Sequence, residues 1–243
     1  MTGPKPQLRH GAVNIWKVSM GRRPDPEVAQ SVLSNDELSR AMAFAFDVDR
    51  NRYVYCRLAL RSLLAEYLGI SAADVSFRYS RFGKPEVALP DGSPEVRFNL
   101  SHCDDLALIA LAVGAPVGID VERVRPIQDM AGLAEMCFSE RELEVFGAVD
   151  EEERAQAFFN CWTRKESFVK AVGEGLSYPL KQFDVTLQPG EPAALQALEG
   201  SADRAGAWSI KDVNLEPARR WAAAVAVGAT DANLEVIGWR SDR

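Results

Sequence analysis

Apolar positions recur along this chain with two different periods. Short runs that alternate or stay apolar predict strands near Ala12–Val18, Val75–Tyr79, Val96–Leu100 and Leu106–Val113. Stretches with helical spacing lie between them. One opens at Leu33-Ser34-Asn35-Asp36-Glu37-Leu38, and a longer one runs from Arg50 to Leu68 and stops at Gly69. The same order then returns. A strand is expected at Val117–Glu122, a short helix opens at Phe138-Ser139-Glu140-Arg141-Glu142-Leu143, and a long helix runs from about Glu152 to Val172 and stops at Gly173. Strands follow near Phe183–Leu187, Trp208–Val213 and Trp221–Val227, with one more strand-like run at Leu234–Trp239.

The repetition carries a fold prediction. Both short helices open with Ser-x-x-Glu, a capping box in which the Ser takes a first-turn amide and the Glu reaches back. Ser34 and Ser139 are 105 residues apart, Phe77 and Val185 are 108 apart, and Val113 and Val227 are 114 apart. A slowly drifting offset over five elements is the mark of an internal duplication. The expected class is α+β, with two similar α+β subdomains at residues 1–114 and 115–243 related by a pseudo-twofold axis. A cleft between such halves is a favoured ligand site.

Composition narrows the class. At 243 residues, 47% hydrophobic and 26% charged, the chain has length for one large or two small globular domains. The longest apolar run, Leu106 to Ile119, is too short to span a bilayer and contains Gly and Pro, so no membrane segment is expected. The start, MTGPKPQLRHGAVNIWKV, lacks the apolar stretch of a secretory leader. Four scattered cysteines and two histidines form no zinc-ligand spacing and fit free thiols in a reducing cytoplasm. The net charge of −7 is unevenly spread. Residues 1–112 carry 14 Lys and Arg against 13 Asp and Glu, whereas the remainder carries 14 against 22. The first half is too mildly basic for nucleic acid but suits an anionic ligand.

The candidate chemistry sits on the repeat. In Val117-Gly118-Ile119-Asp120-Val121-Glu122 the two acids are two apart, and strand alternation puts them on one face. Adjacent carboxylates resist burial unless a positive group joins them, and an all-oxygen set points to a hard divalent cation. The counterpart run Ala12–Val18 has no acid, so the charge does not follow from the repeat. Glu166 and Lys170 are spaced i, i+4 on a strongly apolar helix; the plainer reading is an ordinary ion pair. Asn99-Leu100-Ser101-His102 is expected just past a strand, where Ser101 and His102 could donate to a phosphate, although a satisfied turn histidine is an equal reading. Arg81-Phe82-Gly83-Lys84-Pro85 reads as a turn whose lysine is either a phosphate contact or an exposed loop lysine. Arg50, Arg52, Arg57 and Arg61 line one helix, and spacing alone selects none of them.

Taken together in chain order, FGKP, FNLSH, GIDVE and FNCWTRKESFVK followed by GEGLSYPL resemble the Sfp-type 4′-phosphopantetheinyl transferases over about residues 33–228. The pseudo-dimeric fold of that family matches the duplication. The resemblance implies an Mg²⁺-dependent enzyme that moves the phosphopantetheine arm of coenzyme A to a serine of an apo acyl or peptidyl carrier protein, releasing 3′,5′-ADP. It implies Asp120, Glu122 and Glu166 as metal ligands, with Mn²⁺ an alternative ion. Glu166 is then the base, Lys170 contacts the reacting phosphate, Ser101 and His102 hold the coenzyme A phosphates with His102 counted among the catalytic groups, Lys84 contacts the nucleotide or its pyrophosphate, Arg52 holds the 3′-phosphate and Arg40 is a second basic contact. One departure is Glu37, near where the family's type member carries an additional lysine, which leaves the strength or geometry of 3′-phosphate binding open. Basic stretches at Arg50–Arg61 or Arg78–Lys84 are candidate docking surfaces for an acidic carrier in fatty acid, polyketide or nonribosomal peptide synthesis. A cytoplasmic monomer is expected. The rival readings are a metal-dependent pyrophosphatase or phosphodiesterase and a non-catalytic coenzyme A-binding module.

Overall fold

The computed structural model describes residue 8 and residues 11–21, 23–89, 95–217 and 220–239. In chain order the elements are β1 (Ala12–Ser19), α1 (Pro26–Val32), α2 (Asn35–Met42), α3 (Asp47–Leu68), β2 (Phe77–Tyr79), β3 (Pro85–Val87), β4 (Val96–Cys103), β5 (Leu106–Val113) and β6 (Val117–Arg123). There follow α4 (Met130–Cys137), α5 (Glu140–Gly147), α6 (Glu151–Val172), β7 (Phe183–Val185), β8 (Leu195–Leu198), α7 (Ala202–Ala205), β9 (Ser209–Asp212), β10 (Trp221–Val227) and β11 (Asn233–Gly238). The α+β class holds.

The duplication is visible in the sheets. One sheet has the order β11-β1-β5-β4 and the other β6-β10-β9. β1 pairs antiparallel with β5 as β6 does with β10, and β4 joins β5 as β9 joins β10. The long helices α3 and α6 are both 22 residues, and each stops at a glycine in the left-handed region, Gly69 at φ 70° and Gly173 at φ 85°. Glycine adopts that conformation without a Cβ penalty. Alternation along each strand then builds four layers. Leu108 and Ala110 of β5 meet Ile119 of β6 and Val225 of β10 between the sheets. Ala107 and Ile109 turn outward onto α3, and Ala224 and Ala226 turn outward onto Phe158 and Phe168 of α6. The offset of 114 between Val113 and Val227 is one residue out of step, because Val227 faces the inter-sheet core and Val113, next to Ala112, turns toward the helix.

The repeat extends to buried ion pairs. Glu37 of α2 pairs with Arg61 of α3 at 2.7 Å, and Arg61 also donates to the Ala72 and Val75 carbonyls at 2.9 and 2.8 Å. Glu142 of α5 pairs with Lys165 of α6 at 2.8 Å, and Lys165 donates to the Leu180 and Phe183 carbonyls, both at 2.7 Å. Both acids and both cations are 1–2% exposed. Each acid also closes the start of its helix, receiving the backbone amide of Ser34 or Ser139. Desolvating such a charge is tolerated only because every lone pair finds a donor. Glu37 is therefore an internal strut, also bonded to Arg57, and is buried rather than presented to a ligand.

Two further findings depart from the sequence reading. β11 crosses back and pairs in parallel with β1, so the last strand of the chain belongs to the first-half sheet rather than to the 115–243 half. The Asn99–His102 motif lies inside β4 and not beyond its end, since β4 continues to Cys103. Among the described residues no helix is long and apolar enough to cross a membrane, and all four cysteines are free.

Candidate active site

Elements of both halves meet at Asp120. β6 supplies this acid, which is 4% exposed, β4 supplies Ser101, and α6 supplies Lys170. Asp120 Oδ1 accepts the Lys170 ammonium at 2.6 Å and the Ser101 hydroxyl at 2.9 Å. The ammonium also donates to Ser101 Oγ at 3.1 Å, closing a triangle. A charge-assisted bond of this kind is about twice as strong as a neutral one. Lys170 therefore pairs across to the strand rather than along its own helix to Glu166, the plainer reading of the i, i+4 spacing.

A glycine makes this convergence possible. Gly118, Asp120 and Glu122 share the face of β6 that meets α6. A Cβ at Gly118 would lie 2.1 Å from the Ser167 carbonyl oxygen and 2.3 Å from the Ala171 amide nitrogen. Only glycine lets the α6 backbone sit directly on the strand. That contact carries Glu166 and Lys170, one turn apart, to the carboxylates.

Burial and neighbouring charge both act on the acids. The Glu166 pKa is raised by burial first and then by the Asp120 and Glu122 charges, with Lys170 opposing. Glu122 is also raised, by burial and then by Asp120, with Cys103, Arg125 and Lys170 opposing. Arg123 does not neutralise the site; it pairs with Asp104 at 3.0 Å.

In this structure no three His, Cys, Asp or Glu side chains among the described residues converge closely enough to hold a metal ion. The residues nonetheless fit one. Asp120 Oδ2 is buried and receives no hydrogen bond, an orphaned anionic oxygen. Lys170 pairs with Asp120 and its charge acts on Glu122 and Glu166 as well, and all the candidate donors are hard oxygens, the chemistry of Mg²⁺ or Mn²⁺.

Comparisons with known proteins supply the family. Residues 116–226 match the model of the 4′-phosphopantetheinyl transferase superfamily, and residues 20–113 match that of the 4′-phosphopantetheinyl transferase N-terminal region. The 4′-phosphopantetheinyl transferase HetI of Nostoc sp. is 37% identical over 242 residues, covering 98% of this chain and 94% of the relative. This chain belongs to the 4′-phosphopantetheinyl transferase family. Sfp of Bacillus subtilis is 30% identical over 72% of this chain and 77% of its own length. A holo-(acyl-carrier-protein) synthase from Bacillus anthracis, solved with CoA (3′,5′-ADP), overlaps 47% of this chain and 96% of its own at 19% identity and a TM-score of 0.38.

Within this phosphopantetheinyl transferase the other expected contacts are dispersed. Ser101 and His102 turn to opposite faces of β4, as neighbours on a strand must. His102 is exposed, and its pKa is lowered by partial desolvation and then by the Arg52 and Lys170 cations. The two cations thus disfavour the charged form of the imidazole, with Asp49 opposing. Arg52 itself is held by Asp105 at 3.1 Å. Arg40 is exposed and stands over the Tyr53 ring at 5.7 Å. Lys84 lines a cleft of about 430 Å³ between the FGKP turn and the end of α6. Its ammonium is turned into the protein and donates to the carbonyls of Lys170, Ala171 and Val117 at 2.6, 3.0 and 3.2 Å. All three of its protons are thus engaged by backbone, which corrects the picture of Lys84 as a free phosphate contact. The sequence reading passed over Asn99, whose Oδ1 accepts the Ile119 amide at 2.9 Å. Its place in FNLSH, two residues before Ser101 on the same strand face, was the available clue.

Proposed function

We propose that this protein transfers the 4′-phosphopantetheine arm of coenzyme A to a serine hydroxyl of an apo acyl or peptidyl carrier protein, with Mg²⁺ bound by Asp120, Glu122 and Glu166. The observation that carries this reading is Asp120, pinned through Oδ1 by Lys170 and Ser101 while Oδ2 is buried without a partner, in a chain of this family. Bound there, a divalent ion would supply charge neutralisation for a pyrophosphate.

The chain's own residues supply the rest. The serine Oγ attacks the β-phosphorus, the bond from that phosphorus to the bridging oxygen breaks, and the bridging oxygen leaves with 3′,5′-ADP. Glu166 takes the serine proton. A carboxylate placed beside the reacting hydroxyl serves as such a base. Lys170 stabilises charge on the phosphoryl oxygens. Arg52 and His102 hold the anionic end of the nucleotide, His102 as a neutral hydrogen-bond donor. The site draws on both halves of one chain, which supports a monomer, and four free cysteines suit a reducing cytoplasm.

Mass spectrometry of apo carrier proteins incubated with coenzyme A and Mg²⁺ tests this. The expected result is a mass gain of one phosphopantetheine arm. Carriers that keep their original mass, with phosphopantetheine released to water, would indicate a pyrophosphatase instead. Binding of coenzyme A with no turnover would indicate a binding module. Glu166→Gln is expected to abolish transfer and spare coenzyme A binding.

A further inference from the structure

β6 is an edge strand. Its inner edge pairs with β10, and its outer edge runs beside β4, the edge strand of the other sheet, without a shared ladder. Alternate residues of a strand present their N–H and C=O groups to the same side. The outward groups of β6 are therefore those of Val117, Ile119 and Val121. Two of them are met by side chains from the first half. Lys84 donates to the Val117 carbonyl at 3.2 Å, and Asn99 Oδ1 accepts the Ile119 amide at 2.9 Å. Ile119 is fully buried, so its amide has no recourse to water and needs an acceptor.

The Asn99 bond also sets an offset between two strands. Asn99 and Ser101 are two apart on β4 and point to one face, and Ile119 and Asp120 are adjacent on β6. With Asn99 on the Ile119 amide, the Ser101 hydroxyl arrives 2.9 Å from Asp120 Oδ1 and 3.1 Å from Lys170 Nζ. A backbone ladder would bring the strands to about 4.8 Å apart. A side-chain bridge keeps them further apart and leaves room at the junction of the halves.

We propose that Asn99 is a positioning residue for phosphopantetheinyl transfer: it fixes the register of β4 against β6, through which Ser101 orients Asp120. Asn99 itself touches no reacting atom. This rests on the reading of Asp120 given above, and it extends that reading to a residue with no other role in the site.

The test uses Asn99→Leu, which removes the acceptor at similar volume, and Asn99→Asp, which keeps it. Asn99→Leu is expected to lower kcat by about tenfold or more while the coenzyme A KM moves less than about threefold. Hydrogen exchange in the 117–122 segment should rise in Asn99→Leu and stay near wild type in Asn99→Asp, which should also recover most of kcat. Ser101→Ala introduced into Asn99→Leu should cost less than about twofold more, because both act on Asp120 by one route. Additive losses, or equal impairment by Leu and Asp, would overturn the proposal. So would unchanged exchange in Asn99→Leu. Should Asn99→Leu not fold, Asn99→Ala serves in its place. Should wild-type protein transfer nothing to any carrier, the transferase reading fails on its own account, and the exchange pattern still decides whether Asn99 clasps the strand.

Discussion

Lys84 Nζ lies 2.6 Å from the carbonyl oxygen of Lys170, so a turn in the first half caps the helix that carries the second half's chemistry. The last carbonyls of a helix lack intrahelical donors, and a cation there also complements the helix dipole. The ammonium is not comfortable. Burial, and then the Arg97 charge, lower its pKa from 10.5 to about 8, with Glu86 opposing. Between about pH 8 and 10.5 the unfolded chain binds the Lys84 proton and the folded one does not. Stability should therefore rise with pH across that window, by up to about 3 kcal/mol, and be unaffected by this group below it. Lys84→Met should flatten that rise. At pH 7 the same substitution removes three hydrogen bonds but also a costly buried charge, so a modest net loss of about 1–2 kcal/mol is expected. Urea denaturation of both proteins from pH 7 to 10.5 checks both statements; parallel curves would remove Lys84 from the account.

Glu37 gives a sharper test of stability. Its pKa is lowered despite burial, chiefly by Arg57, with the Ser34 amide and Arg61 adding to the effect. Glu37→Ala leaves Arg61 buried without its counter-charge, which costs about 3–5 kcal/mol. The Glu142→Ala substitution in the second half, leaving Lys165 unpaired, should cost a similar amount. The two losses should be seen by denaturation, and coenzyme A affinity should stay unchanged in whatever fraction remains folded. A coenzyme A defect without a stability loss in Glu37→Ala would place Glu37 in the ligand site instead.

These paired struts mark how far the sequence could be read. The Ser-x-x-Glu openings and the glycine-stopped helices are local patterns, and local patterns identify elements with certainty of type. They also gave the repeat, because both halves use the same local grammar. The acids of GIDVE were legible as a site since a shared strand face follows from a period of two. Partners were not legible. Whether Lys170 turns to Glu166 on its own helix or to Asp120 on a strand depends on how α6 crosses β6, and no spacing encodes a crossing. Lys84 was misread for the same reason: its reach into the α6 carbonyls spans 86 positions. α1 was passed over although Asp25 and Pro26 announce it, Asp25 accepting the Glu27 amide at 2.9 Å.

Gly118 should tolerate no side chain. The nearest atoms to an added Cβ are backbone atoms of α6, which cannot rotate aside as a side chain would. Gly118→Ala must push α6 away from β6, and overpacking of this kind costs about 1–3 kcal/mol or more. The displacement also separates Glu166 and Lys170 from Asp120. Thermal denaturation should record the loss, and the folded remainder should be inactive. A variant with wild-type turnover would mean that the α6–β6 contact is looser than the structure has it.

Lys170 sits where a metal would also have its claim, on Asp120. Its ammonium neutralises one of three carboxylates, and a divalent ion approaching Asp120, Glu122 and Glu166 feels it as a repelling charge. Lys170→Met removes that charge while keeping the apolar stem. Two effects of opposite sense follow. Without the lysine the carboxylates hold a divalent cation more tightly, and removing one positive charge a few ångströms away should tighten Mn²⁺ binding by about tenfold or more. Without it the phosphoryl oxygens also lose a preorganised cation, which should lower kcat by about 10²–10³. Ordinary damage to the site would weaken both. Electron paramagnetic resonance titration of free Mn²⁺, run beside single-turnover transfer to a carrier protein, measures the two together. Tighter metal binding with slower transfer supports Lys170 as a group shared between the acids and the phosphate. Weaker metal binding in Lys170→Met would mean that the ammonium holds Asp120 in place for the metal and does not compete with it.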